Sequence, residues 1–162
     1  MEKKMIKILV KEPNKEPYIK EIEDELEPKQ EIVGGYIEVI EFPDMRNVDI
    51  YVNEEGLLDQ QPGNFWLPHY QDCVKGTCFI AGFDEESGDC VDLTENQIKQ
   101  CEKFIKTFEI QKELDLYTDF GIIEEIMKSR YKRYLKNMSE MWYGNKKKRY
   151  YIDSWCWWVL FS

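Results

Sequence analysis

Three carboxylates cluster where a predicted strand ends in a tight turn: Glu54, Glu55 and Asp59. Paired carboxylates can bind a divalent cation, or serve as acid and base when their pKa values are driven apart. Asn64 and His69 follow in the next segment and could complete a small-ligand or metal site, even a hydrolytic one. A glycine turn whose polar residues face water explains the cluster by itself, and this is the favoured interpretation. The ligand site is therefore an alternative interpretation, and no metal is assigned to it.

Histidine and cysteine offer a second kind of chemistry. His69 precedes Cys73 by four residues, so the two would share a face only in a helix, and Pro68 argues for a loop. A zinc site that also used Cys78 and Cys90 would lack the short C-x-x-C spacing typical of such sites. The sequence favours buried, inert cysteines. It predicts no catalytic residue and no cofactor, and it favours a protein that is not an enzyme.

Charge is distributed unevenly along the 162 residues. The first 120 residues hold 28 acidic and 13 basic side chains, whereas residues 121–162 hold four acidic and nine basic ones. An acidic body repels phosphates and anionic membranes, so neither nucleic acid nor a membrane is an expected partner. Many such charge runs only face water.

Two further groups of residues are candidates for binding a protein partner. One is an acidic hairpin loop that contains Glu85, Glu86 and Asp89. The other is the aromatic tail with Trp155, Trp157 and Trp158, because tryptophan is enriched at interface hot spots. The tail could instead be buried as a final strand, or it could form a homodimer contact.

A basic stretch over residues 128–149 interleaves lysine and arginine with Tyr131 and Tyr134. Such a pattern can follow a nucleic-acid strand through charge and stacking. An apolar stripe at helical spacing with its basic residues in solvent is the favoured interpretation.

Periodicity predicts the elements that would position these residues. Strands are expected near residues 6–10, 17–22, 36–42, 48–53, 76–83 and 90–93, and an irregular loop is expected over 57–75. Helices are expected over 25–33, 95–113 and 121–138, the second preceded by the capping box Thr94 to Gln97.

These elements predict an α+β fold, with a small, mostly antiparallel sheet and helices packed on one side. Residues 1–115 would form this domain, and residues 116–162 a helical, basic and aromatic extension packed on it. The start lacks a secretory leader, and the longest apolar run is far shorter than a membrane span, so we expect a soluble, cytoplasmic protein.

An ordered series of short motifs resembles the family DUF3846, a domain of unknown function. The series contains Val33-Gly34-Gly35-Tyr36-Ile37-Glu38, Asn53-Glu54-Glu55-Gly56, Gly76-Thr77 and Asp92-Leu93-Thr94-Glu95-Asn96-Gln97-Ile98. The resemblance covers about residues 5–110. It implies a context in phage and mobile-element proteins of Gram-positive bacteria, and it carries over no catalytic residue.

Together these features predict a non-enzymatic accessory protein that binds and inhibits or modulates a host protein. The acidic body could mimic nucleic acid and occupy the cationic channel of a defence nuclease.

Overall fold

The computed structural model describes residues 2–56, 58–70, 72–110 and 120–143. The chain divides into two compact units, Met1–Leu116 and Tyr117–Ser162. The described part of the first unit holds these elements in order: β1 (Met5–Lys11), β2 (Tyr18–Glu23), α1 (Leu26–Val33), β3 (Ile37–Glu41), β4 (Val48–Asn53), β5 (Gly63–Leu67), β6 (Asp72–Lys75), β7 (Cys78–Phe83), β8 (Cys90–Val91) and α2 (Glu95–Phe108).

The main sheet is antiparallel throughout. Its strands lie in the order β2-β1-β7-β4-β3, and β8 pairs with β7. The six predicted strands are all present, and the predicted α+β class is confirmed. The strand order is not local, because β1 pairs with both its neighbour β2 and the distant β7.

The first face of the sheet carries the core that α1 covers. Side chains of β1 at every second position, Ile6, Ile8 and Val10, pack with Phe79 of β7 and with Val33 of α1. The Tyr51 ring stacks on Phe79 with the ring centroids 4.5 Å apart. This alternation is the period of two that a strand imposes on its side chains.

The second face is apolar as well, and α2 packs there. Leu9 and Ile50 flank Ile80 across the sheet, and all three are fully buried. The Phe104 ring of α2 lies 5.0 Å from Phe42. The sequence analysis expected helices on one side of the sheet, whereas α1 and α2 lie on different faces, because the central strands are apolar on both.

The predicted end of α1 at Val33 and the predicted capping box before α2 are both confirmed. Gly34 ends α1 in the left-handed conformation, at φ 79°, and its N–H donates to the Gln30 carbonyl. A residue with a Cβ would be strained at this φ, which accounts for glycine here. Thr94 and Gln97 form the reciprocal capping box at the start of α2.

The predicted irregular loop over 57–75 is wrong. It contains β5 and β6, which form a separate two-stranded sheet with a register shift between Gly63 and Trp66. All five residues of β5 are buried, so the strand shows no alternation of polar and apolar residues. Pro62 and Pro68 flank the strand instead of interrupting it.

Helix α2 also ends earlier than predicted, at Phe108 instead of residue 113. Glu109 forms an isolated β-bridge with Phe65, and the Ile110 N–H donates to the Asn64 carbonyl. Pairing with β5 therefore replaces helical hydrogen bonds at this point.

The described part of the second unit is the helix α3 (Phe120–Tyr143), which is longer than the predicted 121–138. Tyr131 and Tyr134 are buried, and their rings lie 6.4 Å apart and nearly parallel. Lys128, Lys132, Arg133 and Lys136 are exposed. This agrees with an apolar stripe and a solvated basic face; whether the unit packs on the first one stays a prediction.

Candidate functional site

The carboxylates of the predicted ligand site lie in an exposed turn after β4. Glu54, Glu55 and Asp59 are all exposed. Asn53 shapes the turn, because its Oδ1 accepts from the Glu55 N–H at 2.8 Å while its Nδ2 donates to the Val33 carbonyl. Among the described residues, no three His, Cys, Asp or Glu side chains are grouped so that they could hold a metal ion.

Asn64 and His69 have other partners. Asn64 is fully buried, and its Nδ2 donates to the carbonyls of Lys11 and Gly76, each at 2.9 Å. It thereby fastens β5 to β1, a structural role. His69 Nε2 lies 3.2 Å from Oδ1 of Asp44. The structure does not assemble these two residues and the acidic turn into one metal site.

Three of the described cysteines, Cys78, Cys90 and Cys101, are buried, as the sequence predicted. Burial raises the pKa of the Cys78 thiol and that of the Cys101 thiol to about 12 each. Thiols that stay protonated are poor nucleophiles and poor metal ligands.

The acidic hairpin loop projects into solvent between β7 and β8. Glu85, Glu86 and Asp89 are exposed. Within the described part of the chain, the ion pair of Glu85 is with the Arg46 guanidinium, at 3.3 Å. The Arg46 side chain is itself 88% exposed. The predicted binding residues Trp155, Trp157 and Trp158 lie outside the described residues, so their role stays a prediction.

A groove that the sequence analysis missed lies between the edge strand β2 and helix α1, with a volume of about 500 Å³. Ile22, Ile32 and Pro28 give it apolar surface, and its other lining residues are Met5, Lys20, Glu21, Glu23 and Glu31. Three of the lining residues are acidic and one is basic. Glu31 belongs to α1, whereas Glu21 and Glu23 alternate with Ile22 and so lie on the other face of β2. No described strand pairs with the outer side of β2.

A partly buried polar cluster fixes α1 beside this strand. Lys29 Nζ lies 2.6 Å from Asp24 Oδ1 and 3.5 Å from the Cys90 sulfur. Lys4 Nζ lies 3.0 Å from the other Asp24 oxygen and donates to the Cys90 carbonyl. The Tyr51 hydroxyl lies 2.9 Å from the same sulfur. The cluster therefore joins α1, β4, β8 and the end of β2.

Burial alone would raise the pKa of Asp24, but hydrogen bonds from Lys29 and Lys4 outweigh it and lower the pKa below its ordinary value. The same balance holds for Lys29. Burial alone would lower its pKa, but the hydrogen bond and negative charge of Asp24, together with Cys90, outweigh burial and raise the pKa. The pair is held charged in the folded protein.

The family assignment rests on most of this first unit. The model of the domain of unknown function DUF3846 matches residues 6–109. The chain belongs to this family. No curated protein and no solved structure gives a significant match to it.

The DUF3846 match includes the acidic hairpin loop, helix α2, the groove except Met5 and the polar cluster except Lys4. Helix α3 lies beyond it. Of the helices described, including α3, none is both long and apolar enough to cross a membrane. Properties common to the family should therefore be sought on the first unit.

Proposed function

We propose that this DUF3846 protein is a non-enzymatic accessory protein of a phage or mobile element that binds a host protein and inhibits or modulates it. It would act in the cytoplasm. The partner class that best fits an acidic binder is a protein with a cationic surface, such as a defence nuclease or its complex.

The observation that supports this function is a surplus of exposed carboxylates without an ion-pair partner among the described residues. Glu54, Glu55 and Asp59 after β4, and Glu86 in the hairpin loop, are of this kind. In the part of the chain that the structure describes, the ion pairs use other carboxylates.

Carboxylates fixed on turns of a rigid sheet present negative charge at defined positions. A channel that binds nucleic acid through lysine and arginine attracts such a surface by the same electrostatics. Binding of this kind competes with phosphates and weakens steeply with salt.

The experiment is capture of host proteins from a Gram-positive lysate on the immobilised full chain, at salt rising from about 50 to about 200 mM. The triple variant Glu54→Gln/Glu55→Gln/Glu86→Gln should lose the captured protein, and added duplex DNA should compete with it. The control Lys99→Gln/Lys106→Gln alters exposed charges of the opposite sign and should retain capture. Capture that is indifferent to salt and to DNA contradicts the nucleic-acid-mimicking mode.

The alternative is a small-ligand or metal site at Glu54, Glu55 and Asp59, and it stays a prediction. The described residues contain no group of three His, Cys, Asp or Glu side chains that could hold a metal ion. A thermal-shift screen with divalent ions and nucleotides tests it, because a ligand that prefers the native state must raise its melting temperature.

A further inference from the structure

We propose that the groove between β2 and α1 binds an extended, basic segment of a protein partner, which joins the sheet as an antiparallel strand beside β2. The inference rests on the proposed function, since it gives the partner chemistry of a protein-binding domain. It differs from that function in its site, its geometry and its test.

The backbone of β2 offers an open edge. The Asp24 N–H donates to the Lys4 carbonyl at 2.8 Å, which makes these two residues a hydrogen-bonded pair. In an antiparallel ladder such pairs alternate, so Ile22, Lys20 and Tyr18 also bond to β1. Lys7 lies opposite Glu21, so in this pattern its N–H should point away from β2. It does so, because it donates to Asp92 Oδ1.

Consequently the N–H and C=O groups of Ile19 and Glu21 point away from β1. Among the described residues nothing pairs with them, and the Ile19 side chain is 47% exposed. An extended peptide can bond to such an edge through its own backbone, as in strand-addition complexes.

The side chains specify what the added strand should carry. Glu21 and Glu23 lie on one face of β2, at alternate positions, while Ile22 lies on the other face with α1. Residues opposite Glu21 and Glu23 should be basic, because opposite charges across neighbouring strands stabilise pairing. The residue between them should be apolar, because it would lie over Ile22 and Ile32. Exposed Lys3 already contacts Glu23, at 2.7 Å, so Glu21 has the greater part in this recognition.

A second copy of this chain fits the edge less well. Pairing β2 with β2 would bring the acidic residues of both strands together at the same edge, and like charges across strands are destabilising. Glu31 of α1, exposed at the groove, adds to this repulsion and favours a basic partner. Charges on an edge strand can also serve only to prevent aggregation, and the experiment separates that role from binding.

The probe is a capped, fluorescent peptide of sequence Lys-Val-Lys-Thr-Lys-Val-Lys, and its Kd for the full chain is measured by anisotropy. In the proposed register each lysine of the bound strand directs its backbone N–H at β2. N-methylation of the inner lysine amides should therefore abolish binding, whereas N-methylation of the valine and threonine amides should leave Kd within about twofold. Both methylated peptides keep every charge of the parent peptide, and both are measured against the wild-type protein.

Variants of the protein provide the second arm. Glu21→Lys/Glu31→Lys should weaken binding of the unmethylated peptide about tenfold or more. Glu38→Lys/Glu102→Lys makes the same change in net charge at exposed sites on β3 and α2, outside the residues that line the groove, and should change Kd less than about threefold.

Three results would each overturn the proposal: no binding of the unmethylated peptide, equal Kd for the two methylated peptides, or equal losses in the two double variants. None of these results would contradict the proposed function, which is tested by salt-dependent capture of a host protein through the acidic turns. Conversely, groove binding without such capture would contradict the proposed function and leave this inference intact.

Discussion

The Lys29 ammonium lies 2.6 Å from an oxygen of Asp24, and this ion pair joins helix α1 to the residue that follows strand β2. The two side chains are only 14% and 11% exposed. Because α1 and β2 form the two walls of the groove, the pair fixes the width of the candidate binding site as well as contributing to the fold.

Asp24→Asn should lower the free energy of unfolding by about 3 kcal/mol, because it leaves the largely buried Lys29 charge without its counterion. The lowered pKa of Asp24 also has a consequence for pH dependence. The stabilisation is complete above the ordinary carboxyl pKa and is lost as pH falls through the lower, folded value. Urea unfolding at several acidic pH values should thus show a weaker pH dependence in the variant. The control Glu85→Gln, whose partner Arg46 is exposed, should cost no more than about 0.5 kcal/mol; equal losses would contradict the argument.

The second buried cation gives an asymmetric prediction. Lys11 is fully buried, and its Nζ lies 3.0 Å from Oε1 of Glu109, a side chain that is 31% exposed. Glu109→Gln removes the counterion from a charge that cannot reach water and should cost about 3 kcal/mol. Lys11→Met should cost less than about 1 kcal/mol, because the apolar chain stays buried and Glu109 can hydrate. Denaturant unfolding measures the free energy of unfolding of both variants. A larger loss for Lys11→Met than for Glu109→Gln would show that the buried Lys11 charge is not stabilised by Glu109.

Local signals in the sequence predicted most of the main sheet. Alternation marks β1, β3 and β4, and the capping box marks the start of α2, because each depends on neighbouring residues only. By the same logic, β5 was missed. Its burial comes from distant partners, among them the Asn64 amide bonded to Lys11 and the bridge from Glu109 to Phe65.

The groove could not be predicted from the sequence either, because it depends on strand order. Residues 18–23 alternate visibly, but only the pairing of β1 with β7 leaves β2 at an edge. The acidic turns were found because carboxylates beside glycine are a local pattern. Asn64 and His69 lie near those turns in sequence, yet the fold gives their side chains other partners.

Alkaline pH should destabilise the first unit through its buried thiols. The pKa values of Cys78 and Cys101 are raised to about 12 from an ordinary 9.0, so above pH 9 the unfolded chain releases protons that the folded one retains. Stability is therefore fully present below the unfolded pKa and falls as pH rises, by up to about 1.4 kcal/mol per pH unit for each thiol. Cys101→Ala should reduce this slope in unfolding curves recorded between about pH 8 and 11.

Ile105→Val is the matched control for that slope. It removes one buried methyl group from the same helix and should lower stability by about 1 kcal/mol at every pH. A slope unchanged by Cys101→Ala would mean that its thiol ionises in the folded state as easily as in the unfolded one.

Close approach of two strands explains the glycine at position 82. A Cβ built there would lie 2.9 Å from Val91 Cγ2, 3.0 Å from the Val91 carbonyl oxygen and 3.1 Å from that of Asp92. Two of these atoms are backbone, so the strand β8 would have to move away from β7. Gly82→Ala should therefore cost about 2–3 kcal/mol, as overpacking does, and it should also release Asp92 from the Lys7 N–H to which it bonds.

Gly88→Ala supplies the comparison, because its position in the hairpin loop has φ +76° but open space around a Cβ. Its cost should come from backbone strain alone, about 1 kcal/mol. Amide hydrogen exchange separates the two causes: the Lys7 amide should exchange faster in Gly82→Ala and at the wild-type rate in Gly88→Ala. Faster exchange in both variants would mean that the hairpin loop, and not the approach of β8 to β7, holds Asp92 in place.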